Sequence, residues 1–137
     1  MAEGKLLLEI VTPYGLIFSE EVDEVTAAGS EGEFGVLSGH VPYVTTLKIG
    51  MLICKKGNDT KFFFVNWGYA EISSDKVLVL ADSAERSEDI DLERAKAAMQ
   101  RAEERLKKCE DCDFHRAEAS LERAATRIQI AQVRIPR

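Results

Sequence analysis

Arginine offers the most chemistry in the last third of the chain. At ~100° per residue around a helix, Arg94, Arg101 and Arg105 fall on one stripe, and Arg116, Arg123, Arg127 and Arg134 on another. A guanidinium stays charged and pairs bidentately with phosphate oxygens. Two such stripes on a compact helix pair therefore suit a triphosphate. The same residues also read as solvated helix faces, balanced by Glu93, Glu103, Glu104, Glu118 and Glu122, which is what helical charge runs usually are.

Two other constellations invite chemistry. Cys109-Glu110-Asp111-Cys112-Asp113-Phe114-His115 combines a C-x-x-C with a nearby histidine, which supplies three zinc ligands or a thioredoxin-like pair. A structural zinc site needs four ligands. The other histidine, His40, is far along the chain, and no βαβ pattern surrounds the cysteines, so the segment reads as a helix-connecting turn with no metal site. The glycine cluster from Gly29 to Pro42 looks at first like a phosphate loop. It lacks the terminal Lys-Ser/Thr, Glu31 and Glu33 would repel phosphate, and no helix signature follows. It reads instead as tight turns between strands, with glycine supplying positive φ. The sequence shows no activated serine, no cysteine–histidine pair with an orienting third group and no carboxylate pair in a pocket-forming setting, so an enzyme is not expected.

The elements that must position these residues change period near residue 86. Before it, runs at Leu6 to Val11, Val22 to Ala27, Thr45 to Cys54, Lys61 to Val65 and Lys76 to Ala81 read as strands. They are separated by turn signals at Thr12-Pro13-Tyr14-Gly15, Lys56-Gly57-Asn58-Asp59 and Ser73-Ser74-Asp75. Strands at this spacing suggest a sandwich or barrel. The unbroken apolar runs Phe62 to Val65 and Val77 to Leu80 are expected to be covered on both faces. Cys54, inside an apolar run, is read as a small core residue.

After residue 86, Leu92, Ala95, Met99, Ala102 and Leu106 step by threes and fours, as do Phe114, Ala117, Leu121, Ala124, Ile128 and Ala131. Asp91 and Asp113 stand where N-caps are needed, and the short polar segment from Lys107 to Cys112 suits an antiparallel connection. The expected fold class is α+β. Residues 1–86 form an N-terminal antiparallel β-sandwich, and residues 87–137 a C-terminal antiparallel two-helix hairpin. About 45 residues bury too little for the hairpin to stand alone, so it must dock on the sandwich or on a partner.

Composition narrows the class further. With 137 residues, 45% hydrophobic and a net charge of −6, the chain reads as soluble and globular, and not as a nucleic-acid binder. No run approaches the ~20 apolar residues of a membrane helix, so any membrane role runs through a partner. The first residues resemble neither a signal nor a transit peptide. Three cysteines, an odd count, suit a reducing cytoplasm better than a disulfide scaffold.

Several blocks together resemble the epsilon subunit of F-type ATP synthases. They are Thr12-Pro13-Tyr14-Gly15, the run Gly29-Ser30-Glu31-Gly32-Glu33-Phe34-Gly35-Val36-Leu37-Ser38-Gly39-His40-Val41-Pro42, Leu47 to Leu52, Asn66 to Ile72 and Val77 to Asp82. Ala28 and Ser38 stand where that family often has proline, and Asn66-Trp67 where a second glycine is common. The resemblance implies a non-catalytic rotor subunit of the bacterial type, at the cytoplasmic face of the plasma membrane. Its sandwich would bind the gamma stalk and stand on the c-ring, with Glu31 and Glu33 meeting the ring and His40 lying where gamma approaches.

Ile90-Asp91-Leu92-Glu93-Arg94-Ala95, preceded by Glu85, is similar to the ATP-binding signature of some bacterial members, whose further arginines match Arg101, Arg123 and Arg127. By that resemblance ATP is a regulatory ligand, no cofactor is required, and Asp91 and Glu85 contact ribose or base. In an extended state the second helix would rise along gamma and brake rotation against the beta subunits of the alpha/beta head. The competing reading is a free adaptor that docks through its helices.

Overall fold

The computed structural model describes residues 4–108 and 113–133. Eight strands come first: β1 (Leu6–Thr12), β2 (Gly15–Val22), β3 (Glu24–Gly29), β4 (Gly32–Leu37), β5 (Tyr43–Leu47), β6 (Gly50–Lys56), β7 (Asp59–Ile72) and β8 (Lys76–Arg86). A single 3-10 turn, Ser87–Asp89, precedes α1 (Leu92–Lys107) and α2 (Phe114–Val133). The chain divides into two compact units, Met1–Arg86 and Ser87–Arg137.

In the first unit the strand order is β2-β1-β8-β7-β5-β3-β4, with β6 pairing β3 and β7. In a flat sheet β2 and β7 would lie three strand spacings, ~14 Å, apart. Yet the rings of Phe18 and Phe63 are 4.9 Å apart, and Lys61 Nζ lies 2.9 Å from Glu20 Oε2. The sheet therefore folds over on itself, and its two layers enclose a core that includes Leu6, Leu8, Ile10, Val25, Leu52, Phe63, Ile72 and Val79. One pairing departs from the antiparallel pattern expected for the sandwich: β1 runs parallel to β8.

The strand that passes between layers is β7. Its first half pairs with β6, from Asp59 to Val65, and its second half with β5, from Gly68 to Ile72. The switch falls at Trp67, a non-glycine residue with φ +52°, and Gly68, with φ +155°. Inward-facing positions shift there from Phe63 and Val65 to Ala70 and Ile72, a change of parity that a regular strand cannot make.

Several strand expectations need correction. β2 was not anticipated because its inward face is Phe18, Glu20 and Val22, which puts a carboxylate into the apolar period. The segment read as turns holds β4, which pairs along the whole of β3. Its inward side chains are reduced to a half-buried Phe34 and a buried Val36, too few to show alternation. The run from Thr45 to Cys54 is two strands, with Lys48 and Ile49 between them. Phe63, Phe64 and Val65 are all buried as the unbroken run implied, but Leu80 is 48% exposed. That face of β8 is open.

At the edge of the sandwich, Phe18, Glu20 and Val22 of β2 face Cys54, Lys56, Asp59 and Lys61 across a cleft of about 230 Å³. Burial pushes the Cys54 thiol up to about 11, so it is protonated and unreactive at neutral pH.

In the second unit α1 and α2 pack against each other. Asp91 and Asp113 cap them as expected, each Oδ1 accepting from the backbone N–H of Arg94 or Arg116 at 3.1 Å. Ala95 and Ala102 are buried on α1, and Ala117, Ala124 and Ala131 on α2, all at seven-residue spacing. Leu92, Met99, Leu106, Leu121 and Ile128 are only half-buried. Phe114, expected on the seam, is 52% exposed, and Ile130 is fully buried instead. Neither helix is long and apolar enough to cross a membrane.

Candidate functional site

The residues singled out for ATP divide between the units. Glu85 lies on β8 in register with Phe64; Ile90, Asp91, Arg94, Ala95, Arg101, Arg123 and Arg127 belong to the second unit. Ile90 and Ala95 are buried, which gives them packing roles in this conformation. Asp91 is committed through Oδ1 to the α1 cap. Arg94 and Arg101 are exposed on α1, one stripe as the spacing required. On α2, Arg123 and Arg127 are half-buried, and the Arg123 guanidinium donates to Ser120 Oγ at 3.1 Å.

Two shallow hollows collect basic side chains, both near the turn end of the hairpin. Arg101, Glu104, Arg105 and Lys108 line one of about 360 Å³. Arg105, Arg116, Asp113 and Ala117 line the other, of about 310 Å³. Arg105 thus shares a hollow with an arginine of the opposite helix, while the described linings of these two hollows include none of Arg94, Arg123 and Arg127. Arg134, Cys109 and Cys112 lie outside the described residues. Among the described residues no group of three or more His, Cys, Asp or Glu side chains is placed to hold a metal ion.

The residues expected at subunit interfaces, Glu31, Glu33 and His40, lie in the first unit. β3 and β4 are joined through Ser30 and Glu31, with Gly29 paired to Gly32. Glu31 is exposed at this tip and Glu33 is exposed on β4. Ser30 holds the tip to β5 through its N–H, donated to the Thr46 carbonyl at 2.9 Å. His40 lies 2.6 Å through Nδ1 from the Val41 carbonyl. A carbonyl only accepts, so Nδ1 is the donor in this hydrogen bond.

Sequence reasoning missed the outer face of the strands β2, β1, β8, β7 and β5. Leu16 pairs with Val11, Val11 with Leu80, Leu80 with Tyr69, and Tyr69 with Thr46. Residues in register share a face, so these side chains form one row. The signal was present in Leu80, but a continuous apolar run does not tell which of its faces is covered.

Comparison with known proteins decides what this arrangement belongs to. Residues 5–87 match the family model described as ATP synthase, Delta/Epsilon chain, beta-sandwich domain. Residues 88–132 match that described as ATP synthase, Delta/Epsilon chain, long alpha-helix domain. The chain is 60% identical over 108 residues to the ATP synthase epsilon chain of Geotalea uraniireducens (strain Rf4), covering 79% of this chain and 78% of that one. It is 57% identical over 106 residues to the ATP synthase epsilon chain of Thermodesulfovibrio yellowstonii, covering 77% and 76% respectively.

The chain belongs to the ATP synthase epsilon-chain family.

Solved structures agree on the fold of this epsilon-family chain. A chain in the cryo-EM structure of Euglena gracilis mitochondrial ATP synthase, OSCP/F1/c-ring in rotational state 1, superposes with a TM-score of 0.81 at 24% identity, covering 94% of this chain and 81% of that one. A chain in the central stalk/c-ring structure of Tetrahymena thermophila mitochondrial ATP synthase gives 0.63 at 12% identity, covering 96% and 99%. The epsilon-family match spans both units, so the sandwich and the hairpin are to be explained together.

Proposed function

We propose that this epsilon-family chain is a non-catalytic rotor subunit of a proton-translocating F-type ATP synthase. In this reading the sandwich binds the gamma subunit and stands on the c-ring. Glu31 and Glu33 reach the ring from the β3–β4 tip, and His40 lies toward gamma. The chain is peripheral at the cytoplasmic face of a bacterial plasma membrane and reaches the membrane only through the complex. The observation that supports this most is the match of both family models, end to end, over residues 5–132. Affinity purification of the full chain is the test: gamma, alpha and beta subunits are expected to copurify, and recovery of an unrelated partner alone overturns the reading.

The hairpin is the regulatory element of the same proposal. It acts as a brake on ATP hydrolysis, its basic α2 meeting the alpha/beta head in an extended state, and ATP held by Asp91, Arg94, Arg101, Arg123 and Arg127, with Glu85, favours the compact state. Two things support this: the arginines lie exposed or half-exposed on both helices, and the buried residues of those helices are alanines apart from Ile130, and alanine burial contributes little apolar transfer energy. Removing residues 88–137 is expected to raise the ATPase rate of the purified complex and to leave proton-coupled synthesis largely intact. An unchanged rate at low ATP removes the braking role and leaves the structural one.

A further inference from the structure

β8 changes surroundings half-way along. From Val77 to Leu80 it is paired on both sides, by β1 and by β7. From Ala81 to Arg86 its described pairings run to β7 alone, which makes this half an edge. The register also skips Asp82, so the run from Ser83 to Arg86 is a short piece that can open by itself. Chain segments held by few neighbours open first, and this one leads directly into the second unit at Ser87.

The side chain of Arg86 opposes that opening. Its Nη2 donates to the Ile17 carbonyl at 2.9 Å, although the two residues are 69 apart in sequence. The guanidinium carbon lies 5.6 Å from the centroid of the Phe18 ring, within the range of a cation–π contact. Phe18 is 3% exposed, and its ring meets that of Phe63 edge-on at 4.9 Å. Phe63 is in turn the register partner of Arg86 on β7. The last residue of β8 is thereby closed into a ring of contacts with β7 and β2. The planar guanidinium suits the place, because it can donate and stack at once.

The position of this ring decides how much chain is free before the hairpin. Between Arg86 and the α1 cap Asp91 lie only residues 87–90. Opening of Ser83–Arg86 would double that connection, adding ~13 Å of reach. The effective concentration of a tethered group falls roughly as the −3/2 power of tether length, so doubling lowers it ~3-fold.

We propose that Arg86 is a positioning residue for the hairpin, a clamp that holds β8 closed to its end and so confines the swivel to residues 87–90. This rests on the reading of the hairpin as a regulatory brake and adds to it the pivot and the side chain that fixes it. With the clamp released, the hairpin reaches its braking position on the head less often.

The full chain is reconstituted into complex lacking this subunit, and ATP hydrolysis is measured alongside amide exchange. Arg86→Gln should speed exchange from Ser83 to Arg86 at least ~10-fold, with Val77–Leu80 exchanging as in wild type. The ratio of braked to unbraked complexes should fall ~3-fold. Arg86→Lys keeps the charge without the fork and should lie between the two on both readouts. Four Gly and Ser residues inserted between Arg86 and Ser87 should weaken the brake by the same factor and leave β8 exchange untouched. Should Arg86→Gln fail to fold, Arg86→Lys and the insertion carry the test. Unchanged exchange in the Arg86 variants overturns the clamp. Faster exchange with undiminished braking, or full braking by the insertion variant, overturns its positioning role. If the wild-type chain brakes no more than a chain lacking residues 88–137, the regulatory reading itself falls.

Discussion

The Asp23 carboxylate accepts a hydrogen bond from the backbone N–H of Gly57 at 2.7 Å, although the two residues are 34 apart in sequence. The same carboxylate takes the ammonium of Lys5. One side chain between β2 and β3 thereby ties the approach to β1 to the β6–β7 turn. Gly57 has φ +61°, so the N–H is presented by a turn that favours glycine.

This arrangement makes stability depend on pH in a definable direction. The Gly57 N–H, and next the Lys5 ammonium, hold the Asp23 carboxyl below its ordinary value of 3.8. The folded chain thus binds this proton less tightly than the unfolded chain, and the contribution is fully present above the unfolded value and lost as pH falls through the folded one. Asp23→Asn should lower the thermal midpoint by a constant amount from about pH 5 to 8. The gap to wild type should narrow below about pH 4. A gap that is the same at about pH 3 and pH 7 would show that the charge of Asp23 is not what the fold uses.

A second prediction contrasts two glycines. At Gly68 a Cβ would meet the Leu80 carbonyl oxygen at 2.1 Å and the Ala81 Cα at 2.8 Å, with φ +155° adding strain. At Gly35 nothing lies within 4 Å and φ is ordinary. Gly68→Ala should cost at least ~2 kcal/mol, whereas Gly35→Ala should be neutral or stabilise by up to ~1 kcal/mol through the unfolded chain. Chemical denaturation of both variants checks this, and equal midpoints would mean that β7 and β8 can separate at the layer crossing.

Residue-level patterns explain how much of this was readable beforehand. The helices were legible because a 3.6-residue period survives when alanine stands in for leucine, and because Asp91 and Asp113 sit where caps are needed. β1, the first half of β7 and the first half of β8 were legible from β-branched and aromatic runs, whereas β7 continues past Val65 to Ile72 and β8 past Ala81 to Arg86. β2 was hidden by Glu20, which faces inward yet reaches Lys61 across the cleft at 2.9 Å, something only the folded-over sheet supplies. Trp67 gave one hint, since Asn66-Trp67 stands where the resembling family commonly has a second glycine, but its positive φ follows from the crossing of β7 between layers and not from local propensity. The arginine stripes were legible as stripes, but stepping around one helix does not tell which arginine meets which across a hairpin. That depends on the register of α1 against α2, and the pair that shares a hollow is Arg105 and Arg116.

The hairpin seam gives a third prediction. Ala102 is 2% exposed, whereas Ala97 on the same helix is exposed. Ala102→Leu inserts three carbons into a filled space and should cost ~1–3 kcal/mol, read as faster amide exchange along both helices while the strands stay protected. Ala97→Leu changes neither packing nor helix propensity appreciably and should stay within ~0.5 kcal/mol of wild type. If both variants exchange alike, the helices do not rely on close alanine contact.

The last prediction separates the two jobs assigned to Asp91. As the α1 N-cap its Oδ1 accepts from the Arg94 N–H, and asparagine caps about as well as aspartate. Asp91→Asn should therefore keep the thermal midpoint of the ATP-free chain, and any change in ATP affinity must come from a contact with the ligand. Arg94 and Arg123 lie on different helices, so a nucleotide held between those helices needs both. A charged hydrogen bond contributes roughly 1.5–3 kcal/mol, so Arg94→Ala and Arg123→Ala should each weaken ATP binding by about one to two orders of magnitude in calorimetric titration. Arg94→Lys should restore only part, since an ammonium keeps the charge and loses the fork. In the wild type ATP should raise the thermal midpoint with occupancy, and Lys107→Ala near the turn should behave as wild type. Equal ATP affinity in wild type, Arg94→Ala and Arg123→Ala would return these arginines to solvated helix faces. A loss confined instead to Arg105→Ala and Arg116→Ala would move the nucleotide to the hollow at the turn end of the hairpin, where the structure already brings two arginines together.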